Sequence, residues 1–230
     1  MIFSNFKTSS VKYIINEFDC PKGIVPNIEK YSNIIHHTKC PAVAMVHSRL
    51  YYANSFLDID INFGMKDGEP HYNYTFTEEH PTSQFMHDLI KSVIRVQALP
   101  NSNSTLHLQI NSPYSFVTDT KDIELVSLPT NIETENCVYV PGGLKPYYWI
   151  RNLNAAFLLT DMTKMGKVKL RIDKPMCLFY FNKPVDLKLT EQTEKIKSYI
   201  AETAGIVNYR SKIEKYYTNV INRRPRKLLS

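Results

Sequence analysis

Residues 57–63 read Leu-Asp-Ile-Asp-Ile-Asn-Phe. In an extended chain Leu57, Ile59, Ile61 and Phe63 fall on one face and Asp58, Asp60 and Asn62 on the other, because successive strand side chains point to opposite sides. A helical period would scatter these four apolar residues around the axis, so the segment reads as a half-buried β-strand. Met65-Lys-Asp-Gly68 follows as a turn. His71–Thr77, with Tyr72, Tyr74 and Phe76 interleaved with Asn73 and Thr75, reads as the returning strand. The two predict a hairpin with a longish loop.

The same pattern recurs outward from this hairpin. Ala42–His47, Val93–Ala98, Leu106–Ile110, Tyr114–Thr118, Ile123–Leu128, Cys137–Val140 and Ala155–Thr160 are short apolar or alternating runs. Lys167–Ile172 alternates cleanly, Val168, Leu170 and Ile172 against Lys167, Lys169 and Arg171. Met176–Phe181 is apolar throughout, which suits a central strand covered on both faces. Thr82–Leu89 reads as a helical turn and Thr130–Asn136 as a polar loop. About ten short strands without intervening helices predict a mainly β fold, an antiparallel sandwich of jelly-roll type, over residues 41–189. Residues 1–40 are a mixed segment packed on it, with a short strand at Val11–Phe18 and a helix at Asn27–His36. Beyond Leu189 the period changes. Thr190 reads as an N-cap, and Ile196, Ile200, Thr203, Val207, Ile213, Tyr217 and Val220 recur at helical steps, so residues 190–230 predict C-terminal helices, broken near Gly205 and Asn208, and a basic tail.

Composition removes several function classes. The chain has 230 residues with ordinary globular usage, enough for one sizeable core. Its 7 glycines form neither G-x-G-x-x-G nor G-x-x-x-x-G-K-[ST], so a dinucleotide fold or a P-loop is not expected. The 4 cysteines include no C-x-x-C pair. The N-terminal stretch does not read as a signal peptide, and no apolar run is long enough to span a bilayer. Reduced cysteines in a cytoplasm, and no membrane partner, are the corresponding expectations. Residues 208–230 hold Arg210, Lys212, Lys215, Arg223, Arg224, Arg226 and Lys227 against Glu214 alone, so the net charge of +6 belongs entirely to this tail.

Catalytic motifs are few. A jelly roll invites a metal-dependent oxygenase or cupin-like site, but no histidine is followed two residues on by an acid or another histidine, and no G-x-S-x-G exists. His36, His37, Cys40 and His47 have zinc-ligand types near one another and are the metal candidates; a helix end with solvated histidines is the competing explanation. Glu78-Glu79-His80 with His87-Asp88 is a weaker metal candidate, since adjacent His-Asp occurs in metal phosphohydrolases but on a helical scaffold with further ligands, and the Asp58/Asp60 pair is a paired-carboxylate candidate; ordinary solvated side chains compete with both. The interaction candidates are Tyr147, Tyr148, Trp149 and Arg151, aromatics plus arginine being frequent interface anchors and equally frequent core-edge contents. Lys167, Lys169 and Arg171 on one strand face, and Arg223, Arg224, Arg226 and Lys227 in the tail, are candidates for nucleic acid or an acidic partner.

Thr38-Lys-Cys-Pro-Ala42, the segment Tyr148-Trp-Ile-Arg-Asn-Leu-Asn-Ala-Ala-Phe157, the stretch Leu178–Leu189 and the basic helical tail together resemble a set of uncharacterised proteins of marine tailed bacteriophages, chiefly the contractile-tailed phages of cyanobacteria. The resemblance covers about residues 30–225, with His47–Phe56 departing from it, and carries no known activity or catalytic residue. It implies a phage product made in the host bacterial cytoplasm and carried, in one version, in the virion. The resulting expectation is a non-enzymatic binding or structural protein without cofactor, engaging a protein partner or a second copy of itself. The alternatives are an iron/2-oxoglutarate or cupin-like metal enzyme, and nucleic-acid binding through the tail.

Overall fold

A computed structural model describes residues 9–15, 28–30, 46, 48–77, 84–98, 105–172, 174–204 and 228–229. In chain order the strands are β1 (Ser9–Ile15), β2 (Ile28–Lys30), β3 (Leu50–Asn54), β4 (Ile59–Lys66) and β5 (Glu69–Phe76). Helix α1 (Gln84–Val93) precedes β6 (Ile94–Ala98), β7 (Leu106–Val117), β8 (Leu125–Leu128), β9 (Thr134–Glu135) and β10 (Cys137–Tyr139). The last elements are β11 (Gly143–Leu144), β12 (Asn152–Leu159), β13 (Gly166–Leu170), β14 (Pro175–Phe181), β15 (Val185–Leu189) and helix α2 (Glu194–Ala204).

The strands form three sheets. A six-stranded sheet runs β10-β12-β7-β1-β15, with β6 also on β7; a five-stranded sheet runs β11-β8-β14-β3-β2; a four-stranded sheet runs β5-β4-β13-β9. One core joins them. Phe116 of β7 meets Phe179 of β14 at 5.1 Å between ring centroids, and Phe179 stacks on Tyr51 of β3 at 5.8 Å. On the other side Phe63 of β4 and Leu159 of β12 converge over Gly166, where a Cβ would come within 2.7 Å of either side chain. The molecule is thus mainly β and sandwich-like, as the alternating segments predict. The pairings are antiparallel except β1 with β15, which is parallel.

Particular expectations are refined. The hairpin is tighter than a longish loop: β4 and β5 pair down to Lys66 opposite Glu69, joined by Asp67 and Gly68 alone. Both have positive φ, 53° and 81°, the two-residue turn whose twist matches that of the strands. Ile28–Lys30, read as part of a helix, is instead an edge strand on Tyr51–Ala53, since three residues that complete a sheet ladder gain more than a short isolated helix can. The rest of that helix lies outside the described residues. Leu106–Ile110 and Tyr114–Thr118, read as two strands, are one. Pro113 does not break β7, because β6 pairs with it only up to Ile110 and β1 only from Tyr114, so no partner on that edge asks for the missing N–H. The helical turn read at Thr82–Leu89 is α1. Met176–Phe181 is central, between β8 and β3, but Cys177, Phe179 and Phe181 are fully buried while Leu178 and Tyr180 are half-buried. The cap of the last helix is Thr193, not Thr190: Ile196 N–H donates to Thr193 Oγ1 at 3.4 Å, whereas Thr190 N–H extends the β15 ladder to Tyr13 O at 2.9 Å. A second C-terminal helix falls outside the described residues.

The six-stranded sheet is covered unequally on its outer face. Ile14 of β1 and Val117 of β7 point away from the sandwich interior and form a second apolar cluster with Ile150, Ile196, Tyr199 and Leu228. Tyr199 Oη donates to Tyr148 O at 2.9 Å, and the Leu228 and Leu229 N–H groups donate to the two Asp119 carboxylate oxygens at 2.9 and 3.1 Å. Among the described residues, helix α2 and Leu228 therefore sheath the β1 half of this face, and no element covers the β6-β7-β12-β10 half.

Candidate functional site

On the open half, Leu106, Leu108 and Ile110 of β7 turn inward and are fully buried, which turns His107, Gln109 and Asn111 outward. The register sets their neighbours. His107 lies between Gln97 and Leu158, Gln109 between Arg95 and Ala156, and Asn111 beside Asn154. Val138 and Val140 continue the rows at the β10 edge and are exposed. The face thus grades from apolar at one edge, through amides, to a cation at the other.

The amides are tied together. Gln109 Nε2 donates to Asn111 Oδ1 at 3.4 Å. The Asn154 amide, oriented as its neighbours require, donates to Asn111 Oδ1 at 3.1 Å and accepts from Gln109 and, at 3.0 Å, from Arg151 Nη2. Arg151 in turn lies over the Trp149 ring, 4.3 Å from its centroid, an arrangement in which the cation is drawn to the ring face. These side chains wall a cleft of about 670 Å³ between the sheet, the Gly142-Gly143 turn and α2. This lies in the size range of small-ligand sites.

The interaction segment picked from the sequence is thereby divided. Trp149 and Arg151 line the cleft. Tyr147 is buried, packs edge-on against Tyr148 at 4.9 Å and has Lys121 Nζ 5.9 Å from its ring centroid. Tyr148 contributes its carbonyl to anchor α2. The latter two are framework.

The strand cations read as a phosphate or acidic-partner site are matched by acids on neighbouring strands. Arg171 Nη2 meets Asp60 Oδ1 at 2.8 Å and Lys167 Nζ meets Asp60 Oδ2 at 3.3 Å. Arg171 Nη1 lies 3.7 Å from Asp58, and Lys169 pairs with Glu133. The polar face of Leu57–Phe63, set opposite β13, supplies this match, so Asp58 and Asp60 hold cations. Partial burial works to raise the Asp60 carboxyl, but hydrogen bonds and charge from Arg171 and Lys167 outweigh it and hold the group below its ordinary value. A carboxylate depressed in the folded state stabilises fully above its ordinary pKa, and that stability is lost as pH falls through the lowered value. Asp60→Asn is therefore expected to lower stability by about 1–2 kcal/mol near neutral pH. The gap to wild type in urea titrations should narrow as pH falls below the carboxylate range; a gap independent of pH would show that the charge is not what matters.

His87 and Asp88 of α1 face different partners: Tyr74 Oη contacts His87 Nδ1 at 2.5 Å, and Asp88 accepts from Gln84 at 2.9 Å. Burial pushes the Cys177 thiol up to about 12 and, with backbone hydrogen bonds opposing it, the Cys137 thiol up to about 11, so both are thiols rather than thiolates at neutral pH. Among the described residues no three His, Cys, Asp or Glu group together as a metal would require, and no helix is long and apolar enough to cross a membrane. His36, His37, Cys40, His47, Glu78, Glu79 and His80 lie outside the described residues, as do Arg223, Arg224, Arg226 and Lys227. The chain matches no protein-family model, no curated protein and no solved structure.

The amide rows went unrecognised in the sequence. The available signal was His107-Leu-Gln-Ile-Asn111, an outward row of amides where a merely solvated strand would more often carry charge or threonine. Its cross-strand partners, Arg95 and Asn154, are fixed only by the register.

Proposed function

We propose that this chain is a non-enzymatic binding protein that receives its ligand on the open half of the six-stranded sheet, and that it serves a tailed phage as a virion-associated or accessory component. The observation that supports binding is the unequal cover of one sheet: half is sealed by α2 and Leu228, while the other half holds a cleft whose side chains are fixed by mutual hydrogen bonds. Preorganised polar groups lose little freedom on meeting a ligand. Among the described residues the titratable side chains lining the cleft are Arg95, His107 and Arg151, a set suited to holding a ligand more than to moving protons and forming bonds. The phage assignment rests on the sequence resemblance, and the host cytoplasm is then the place of synthesis.

Co-purification tests it. The protein should be found by mass spectrometry in gradient-purified particles or in a stable complex from infected cells. Ala156→Arg, which projects into the face without touching the core, should remove it from both. A wild-type protein absent from particles and from every complex would refute the proposal.

A further inference from the structure

The chemistry of the cleft restricts what it can hold. Among the described residues its lining contains two arginines and five side-chain amides, those of Gln97, Gln109, Asn111, Asn152 and Asn154, and no aspartate or glutamate. Arg95 is exposed on β6 and has no ion-pair partner among the described residues. It stands in contrast with Arg171, which two carboxylates satisfy. An unmatched guanidinium beside a patch without carboxylates attracts an anion, and its planar fork fits a carboxylate through two parallel hydrogen bonds.

The amides specify the rest of the ligand. A side-chain amide offers two N–H donors and a carbonyl acceptor in one plane, a pattern that meets neighbouring hydroxyl groups, each of which both donates and accepts. Asn111 Oδ1 is occupied by Gln109 and Asn154, while its Nδ2 donors bond to nothing among the described residues. Gln97 stands one row away, beside His107. The network saturates Asn154 and fixes the amide planes, and among the described residues it leaves Gln109 Oε1 and the Asn111 Nδ2 donors without a partner. Trp149 and Ala156 supply apolar surface between the polar rows. A nucleic-acid strand, by contrast, calls for a run of cations along its phosphates, and among the described residues the cleft is lined by two arginines and no lysine.

We infer that the cleft binds an acidic saccharide, its hydroxyls on Gln97, Gln109 and Asn111 and its carboxylate on Arg95. This rests on the binding role proposed above and names the ligand class for the same face.

The test uses the full-length protein on an array of uronate-bearing oligosaccharides and their neutral counterparts, followed by calorimetry on the strongest spots. Binding to uronate-bearing chains at least tenfold over neutral ones is expected. Arg95→Glu should remove that preference with an unchanged melting temperature, since Arg95 is exposed. Asn111→Ala should weaken binding about tenfold, the equivalent of one hydrogen bond. No binding to any acidic saccharide, equal binding to neutral ones, a preference that survives Arg95→Glu, or a single-stranded oligonucleotide binding the cleft in their place would each overturn the inference. The two failures are distinguishable. A silent array together with loss of Ala156→Arg from particles or complexes refutes the saccharide and leaves the binding role standing. If the wild type also enters neither particles nor complexes, both fall.

Discussion

Phe179→Ala lowers the unfolding free energy by about 3–5 kcal/mol, as expected for a phenyl ring removed from a packed core. The ring is fully buried on the central strand of the five-stranded sheet. It touches Tyr51 at 5.8 Å, Phe181 at 5.9 Å and, across the sandwich, Phe116 at 5.1 Å. Its neighbours are themselves aromatic rings held by two different sheets, so they cannot move together to close the space, and the cavity persists. For a chain of this size the melting temperature should fall by roughly 6–20 °C. Leu178→Ala, on the half-buried face of the same strand, is the control and should cost clearly less. Equal costs for the two would mean that the sheets are not joined through this ring.

Leu228→Ala is the second large effect. Leu228 is 2% exposed, and it completes the cluster of Ile14, Val117, Ile150, Ile196 and Tyr199. The usual cost of emptying such a site is about 2–5 kcal/mol, limited here by the free energy needed to undock α2 and the terminal residues. Hydrogen exchange separates local from global loss: amides of α2 should exchange much faster in the variant, while those of β7 and β14 stay protected. Asp119→Ala, which removes the acceptors for Leu228 N–H and Leu229 N–H, should accelerate the same amides. The double variant should add little to either single one, because both release one unit. Unchanged α2 protection would show that Leu228 is not its anchor. Removing the tail cations by truncation would also remove this anchor. Charge substitutions at Arg223, Arg224, Arg226 and Lys227 that keep Leu228 are therefore the cleaner probe of nucleic-acid binding.

Much of the sandwich was legible because its strands alternate. Leu57–Phe63 and Lys167–Ile172 display their buried faces in the sequence itself, and Ile59, Ile61, Phe63, Val168 and Leu170 are indeed the core residues of β4 and β13. What alternation does not encode is which strand lies beside which. Lys167, Lys169 and Arg171 suggest a basic surface only until β4 brings Asp58 and Asp60 alongside. Asn111-Ser-Pro113 suggests a break only until the gap between β6 and β1 is known to fall there. The candidate site suffered most from this limit. Trp149 and Arg151 were singled out by residue type, but the cleft they border is built from Arg95, Gln109, Asn111 and Asn154, which register alone brings together. The short hairpin was legible in principle, since Asp67-Gly68 is a strong two-residue turn signal, and was obscured by starting the turn too early, at Met65.

The parallel pairing of β1 with β15 sets Ser9 opposite Val185. A ribosome adding about 5–20 residues per second takes roughly ten to thirty-five seconds to travel between them. Through that interval β1 has no β15 to receive it, and its other neighbour, the end of β7, also emerges late. Contacts of such long sequence separation slow folding, and an unpaired strand edge meanwhile offers hydrogen bonds to other chains. The six-stranded sheet can therefore close only once β15 has emerged, and crowding of nascent chains before that point exposes this protein to aggregation.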